Sequence, residues 1–345
     1  MRLTALASTV LALLCVLPLR SSAAQQDETF NSSIPVFEFH SGFWVNLHHT
    51  LYHQARMRQL AADAVSNSVL SVMPSNLTEP EAIAWENAVG YYQKNYAGKD
   101  ISVSLELILI KNQLGDFENC EDLAGLKKKS CDAGLPDKLT SILDAVAPVY
   151  RAHLWPEQDR INRKWIEDVA PLIRNMGLSL THRLSDIYQT PWPRDRIWVD
   201  VAIYANGAGA YTTVDPLSIT VSSTDPRNQG PEALEVLFRE ASHGISGNVQ
   251  DAIARECRQR EKPIPRDLWP ALIYYTTGEV IHPALAARNP NTPPPGRGYV
   301  PYAVRDGMMR RGWNDYLNAL LLYWQPYLDG SVSFDDAIAH IVSSL

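Results

Sequence analysis

The chain has 345 residues, 46% of them hydrophobic and 20% charged, and a formal net charge of −7. That supply of apolar side chains suffices for a sizeable core, in one large domain or two subdomains. The acidic balance gives the protein no electrostatic reason to seek nucleic acid or anionic lipid.

The N-terminus, MRLTALASTVLALLCVLPLRSSAAQQ, carries Arg2, an apolar run from Leu3 to Leu19, and the small residues Ser22, Ala23 and Ala24. This is the pattern of a secretory signal peptide over residues 1–24, so the protein is expected to be exported, periplasmic or extracellular. Loss of Arg2 and Arg20 with the leader takes the formal charge from −7 to −9. No later apolar run is long enough to span a bilayer. Cys120 and Cys131 bracket the loop EDLAGLKKKS, and in an oxidising compartment a short-loop disulfide between them is expected, with two free thiols as the alternative. Cys257 is left without an obvious partner and reads as packed or weakly exposed.

Residues 25–190 read as a helical N-terminal region. Apolar residues recur three and four apart in WVNLHHTLYHQARMRQLAADA, EPEAIAWENAVGYYQKNY, KLTSILDAVAPVYRAHLW and PEQDRINRKWIEDVAPLIRNM, and Thr78 is placed as an N-cap. ISVSLELILI alternates as a strand would, yet it leads into KNQLGD and is assigned to helix. PWPRDR ends the helices near Tyr188.

In residues 191–345 the pattern changes. Alternation predicts strands over 197–204 and 218–223, joined by the glycine- and proline-bearing ANGAGAYTTVDP. A helix over 231–244 follows, with Pro231 in its first turn and Glu232 and Glu235 at its positive end. Leu234, Leu237, Phe238, Ala241 and Ile245 form its buried stripe. The next helix, 270–282, starts at Pro270 and stops before Pro283. Beyond the loop NPNTPPPGRG, WNDYLNALLLYWQPYL and SFDDAIAHIVSSL read as C-terminal helices. The fold class is mostly α with a small β-sheet, an α+β arrangement.

Within the 231–244 helix lies Arg239-Glu240-Ala241-Ser242-His243, one residue away from H-E-x-x-H. In that signature two imidazoles at i and i+4 share a helix face and bind zinc, while the glutamate takes a proton from the metal-bound water. A third protein ligand is needed, and Glu279 in YYTTGEVIH is the candidate. A strand, a turn, a helix bearing L-F-x-E-A-S-H and a later helix with a glutamate together resemble the zincin metallopeptidases, and among them the glutamate-liganded gluzincins. FHSGFWVNLHH, SSTDPRNQG and YTTGE further resemble segments shared by an uncharacterised family of exported bacterial proteins, a likeness covering nearly all of the mature chain. The gluzincin resemblance implies a zincin-like fold, Glu240 as general base, and His243 and Glu279 as zinc ligands. It also implies that SITVSS is an edge strand aligning an extended peptide, and that Tyr299 and Tyr302 are candidate oxyanion donors.

Arg239 departs from that pattern. A guanidinium stays protonated and has no lone pair for a metal, so Arg239 cannot be the first ligand. The zinc site is therefore expected to be degraded, with Arg239 taking over the cation's role by pairing with Glu279 or Glu240. His282, three residues after Glu279, is the local substitute ligand. The two E-x-x-H pairs are also similar to those of dinuclear carboxylate bundles, but such bundles need further glutamates on separate long helices, and the gap here holds RQREKPIPRD. His40, His48, His49 and His53 read as packing or cleft-lining residues.

Two functions follow. One is an exported zincin-like hydrolase using zinc for metal-assisted cleavage of a peptide or other amide. The other is a non-catalytic exported binding protein, a pseudoenzyme that keeps the cleft for a peptide or protein ligand. Stoichiometric zinc in the purified protein would separate them.

Overall fold

A computed structural model describes residues 36–63, 74, 76–118, 120–123, 135–287 and 299–345. The expected signal peptide and Cys131, and with it the expected disulfide to Cys120, lie outside the described residues. Cys257 is buried.

The expected helical segments form α1 (Phe43–Asp63), α2 (Glu79–Asn95), α3 (Leu105–Asp116), α4 (Asp137–His153) and α5 (Trp155–Tyr188). Thr78 caps α2 in a capping box with Glu81, which satisfies donors at the helix start. ISVS turns, and the helix begins only at Leu105.

The sheet has four strands: β1 (Phe37–His40), β2 (Ile197–Ala202), β3 (Ala210–Val214) and β4 (Leu217–Ser222). Their order is β1-β2-β4-β3, with β1, β2 and β4 parallel and β3 antiparallel to β4. Two expectations change. SITVSS is an interior strand, because β3 pairs outside it; AYTTV, expected to be part of a connection, is the edge. The four residues of β1 are too few to show a period before α1 takes over.

The two faces of the sheet differ sharply in chemistry. Ile197, Val199, Val201, Ile219, Val221 and Phe37 join α5 and the C-terminal helices in one hydrophobic core. The opposite face carries Asp200, Tyr211, Thr213, Ser218, Thr220 and Ser222, all buried, and Tyr211 belongs to a second core built by α1 to α4. The register confirms that these polar residues share a face, since Asp200 pairs with Thr220, and Thr220 with Tyr211. On the apolar side, a Cβ at Gly177 of α5 would lie 3.1 Å from a Val36 methyl, so glycine lets that helix approach β1 closely.

α6 (Pro231–Ser242) packs between the sheet, α5 and α8 (Leu268–Ala287), and every residue from Ala233 to Ser242 is buried. It ends one residue before His243. A Cβ at Gly244 would stand 2.6 Å from Leu217, so the chain leaves α6 pressed against β4. A further helix, α7 (Gly247–Gln259), follows. α8 does not stop before Pro283 but runs through it, because packing against α5, α6 and the C-terminal helices outweighs the one lost backbone bond. The chain closes with a π-helical turn at Ala303–Gly307, α9 (Met308–Arg310), α10 (Asn314–Ala319), a second π turn at Leu320–Trp324, α11 (Gln325–Leu328) and α12 (Phe334–Ser344). The fold is thus mostly helical with a small sheet. No helix among the described residues is long and apolar enough to cross a membrane.

Candidate functional site

Along α6 and its C-cap the residues Glu235, Arg239 and His243 stand four apart, and the helical backbone at His243 keeps them on one stripe. Arg239 is only 3% exposed. Its Nη2 and Nε donate to Glu240 Oε1 at 2.9 and 3.3 Å, and its guanidinium carbon lies 4.4 Å from the Tyr274 ring centre and 5.8 Å from that of Tyr302. Burial works against the guanidinium, but Tyr274, Glu240 and Glu235 more than offset it, so Arg239 stays charged.

Glu240 is held from both sides. Thr212 of β3 places its hydroxyl 2.8 Å from Glu240 Oε2 and 2.9 Å from the Glu240 carbonyl, so its one proton serves either acceptor. Burial alone would raise the Glu240 pKa, yet Arg239, His243 and Thr212 together hold it below the usual carboxylate range. His243 Nε2 is 3.9 Å from Glu240 Oε2, too far for a hydrogen bond, and its ring meets Trp269 edge-on at 5.4 Å. Burial lowers its pKa despite Glu240, so it is neutral at pH 7.

Glu235, expected only to complement the helix dipole, is a member of this cluster. Tyr299 donates its hydroxyl to Glu235 Oε2 at 3.1 Å, and the Tyr302 backbone N–H donates to both oxygens at 3.0 and 3.1 Å. Burial nonetheless pushes the Glu235 pKa up. Of the two tyrosines marked as oxyanion donors, Tyr299 thus commits its hydroxyl to Glu235, whereas Tyr302 gives Glu235 only its backbone N–H. The i−4 spacing from Arg239 was the signal for Glu235 in the sequence. Nothing there marked Thr212, and Tyr274 was marked only as part of YYTTGE.

Glu279, the residue expected as third ligand, stands elsewhere. Along α8, Tyr274 and Gly278 face α6: a Cβ at Gly278 would lie 3.4 Å from Glu235 Oε1. Tyr275 and Glu279 sit one position on and face α11, where Tyr275 donates its hydroxyl to Gln325 Oε1 at 2.5 Å. Glu279 and His282 line a separate cavity with Arg183 and Asp329, and His282 is exposed. Of the two pairings foreseen for Arg239, the one with Glu240 forms.

The donors at the motif do not fit a zinc ion. Arg239 has no lone pair to give, Glu240 is already bound on both oxygens, and only His243 remains. Among the described residues, no group of three or more His, Cys, Asp and Glu side chains is placed to hold a metal.

No known protein family, curated protein or solved structure matches this chain.

Across the sheet lies a second buried charged group. Lys111 of α3 donates to Ser218 Oγ at 2.9 Å and to Asp200 Oδ2 at 3.3 Å, and Trp198 Nε1 donates to Asp200 Oδ1 at 2.8 Å. His48 Nδ1 lies 2.8 Å from the Tyr92 hydroxyl, and His49 Nε2 lies 3.3 Å from that of Tyr211. Burial first, and then Lys111, pushes the His48 pKa down to about 3. Burial, His48 and Lys111 hold that of His49 well below its ordinary value. His48 and His49 are thus packed, neutral members of a sealed polar seam.

Proposed function

We propose that this chain is a zincin-like exported protein in which an arginine stands in place of the first metal ligand, and that it holds an extended peptide beside α6 without cleaving it. The observation that carries this reading is the 2.9 Å contact from Arg239 Nη2 to Glu240 Oε1. The guanidinium occupies the first-ligand position of the motif and neutralises the carboxylate that the gluzincin resemblance assigns as general base. A carboxylate with a lowered pKa and both oxygens engaged is a poor proton acceptor.

β3 supports the peptide-holding part. Ser222 donates its backbone N–H to the Gly209 carbonyl at 2.8 Å, and alternation along an antiparallel ladder turns the backbone groups of Thr212 and Val214 away from β4. Among the described residues β3 pairs only with β4, so those groups face a free edge. Thr212 ties that edge to Glu240, and Val214 is 64% exposed. A peptide added there gains main-chain hydrogen bonds next to the motif helix.

The test is fluorescence anisotropy with labelled extended peptides, followed by mass spectrometry of the peptides after incubation with zinc. Saturable binding that Val214→Pro abolishes, with the peptides intact, is the expected result. Cleavage that depends on zinc would replace this reading with that of an active hydrolase.

A further inference from the structure

The second E-x-x-H pair, Glu279 to His282, takes no part in that reading and borders a cavity of about 340 Å³ between α5, α8 and α11. This volume falls in the range of small-molecule sites. Ile187, Val280, Pro283 and Leu328 form apolar walls.

Two carboxylates, Glu279 and Asp329, face the cavity together with Arg183, His282 and Gln325. Glu279 is partly buried, yet its carboxylate makes no hydrogen bond or ion pair among the described residues. Pro283 has no N–H, so the Glu279 carbonyl also lacks the donor that an α-helix would provide four residues on. Asp329 adds a second carboxylate, held in place by Gln325, which donates Nε2 to Asp329 Oδ1 at 3.0 Å. Burial raises the Glu279 pKa, and Asp329 adds to it, outweighing the opposing pull of His282. Among the described residues lining the cavity, Arg183 is the permanent cation, and it donates to the Leu328 carbonyl. A half-buried carboxylate without a donor is costly until a cation pairs with it.

We infer that this cavity binds a small organic cation, an ammonium or guanidinium on a short aliphatic stem, with Glu279 as the principal counter-ion. The ammonium brings several donors to the Glu279 and Asp329 carboxylates, and the stem covers Val280, Pro283 and Leu328. A metal ion does not suit the site, because Glu279, His282 and Asp329 do not converge as ligands. This inference stands apart from the peptide reading, which concerns the other side of α8.

Isothermal titration calorimetry of the mature chain at low ionic strength tests it, with n-butylammonium chloride as probe, butan-1-ol as its uncharged analogue and calcium chloride as a metal control. The expected result is saturable one-to-one binding of n-butylammonium, weakened at least about tenfold by Glu279→Gln. Butan-1-ol should bind at least about tenfold more weakly than the amine. Asp329→Asn, on the solvent side of the cavity, provides a second variant should Glu279→Gln misfold, and it should also weaken binding. Absence of saturable amine binding, equal binding of butan-1-ol, affinity unchanged in both variants, or displacement of the amine by stoichiometric calcium would each overturn the inference.

Discussion

Two buried ion pairs sit on opposite sides of one small sheet, and they differ in what can reach them. Lys111 and Asp200 are enclosed between α3 and the polar strand face, and Ser218 and Trp198 take up their remaining hydrogen bonds. Arg239 and Glu240 are almost as buried, but Arg239 borders a cleft lined by Arg227, Tyr274, Tyr302 and Arg305, and Glu240 touches the free edge of β3. Burial of charge alone therefore does not mark a site. Access from a cleft does.

If the sealed pair is purely structural, breaking it should cost the most. Lys111→Met leaves Asp200 buried without its cation and should lower unfolding free energy by about 3–5 kcal/mol in urea denaturation. Arg239→Met should cost less, about 2 kcal/mol, because water entering from the cleft, together with Thr212, can still solvate Glu240. Equal losses in the two variants would erase the distinction between them.

Acid should act mainly through the sealed side. The His48 pKa is about 3 in the folded chain against 6.5 when unperturbed. Its neutral form therefore stabilises the fold fully above pH 6.5, and that stability is lost as the pH falls towards 3. Unfolding free energies from urea titrations should fall with acid by about 1.4 kcal/mol per pH unit for this histidine, and His48→Gln should flatten the slope. The smallest effect is expected at the cleft: Thr212→Val should cost about 1 kcal/mol, with peptide affinity reduced because the β3 edge loses its tie to α6. A Thr212→Val loss as large as that of Lys111→Met would mean that the edge, not the seam, anchors the sheet.

The helices were legible because their apolar periods are long. The short strands β1 and β3 were not, since four or five residues next to glycines or a helix start carry little alternation. The sealed seam did leave a trace. Lys111 falls on the same helical stripe as Leu107, Ile110 and Leu114, and a lysine there needs a buried acid. The motif itself was readable down to the pairing of Arg239 with a glutamate. Which glutamate was not readable, because a single helix step of 100° separates Gly278, facing α6, from Glu279, facing α11, and helix rotation follows from packing that no local pattern encodes. The arrest expected at Pro283 failed for the same reason.

The central claim is that Arg239 and Glu240 pair with each other at the degenerate motif, with Glu279 out of reach. A calorimetric zinc titration of the native protein and of Arg239→His tests it most directly. The account predicts no saturable binding in the native protein. In the variant it predicts at most weak binding, since two imidazoles four residues apart still lack a third ligand. Stoichiometric, tight zinc in the native protein would contradict the account, and the same result confined to Arg239→His would bring Glu279 back to the motif.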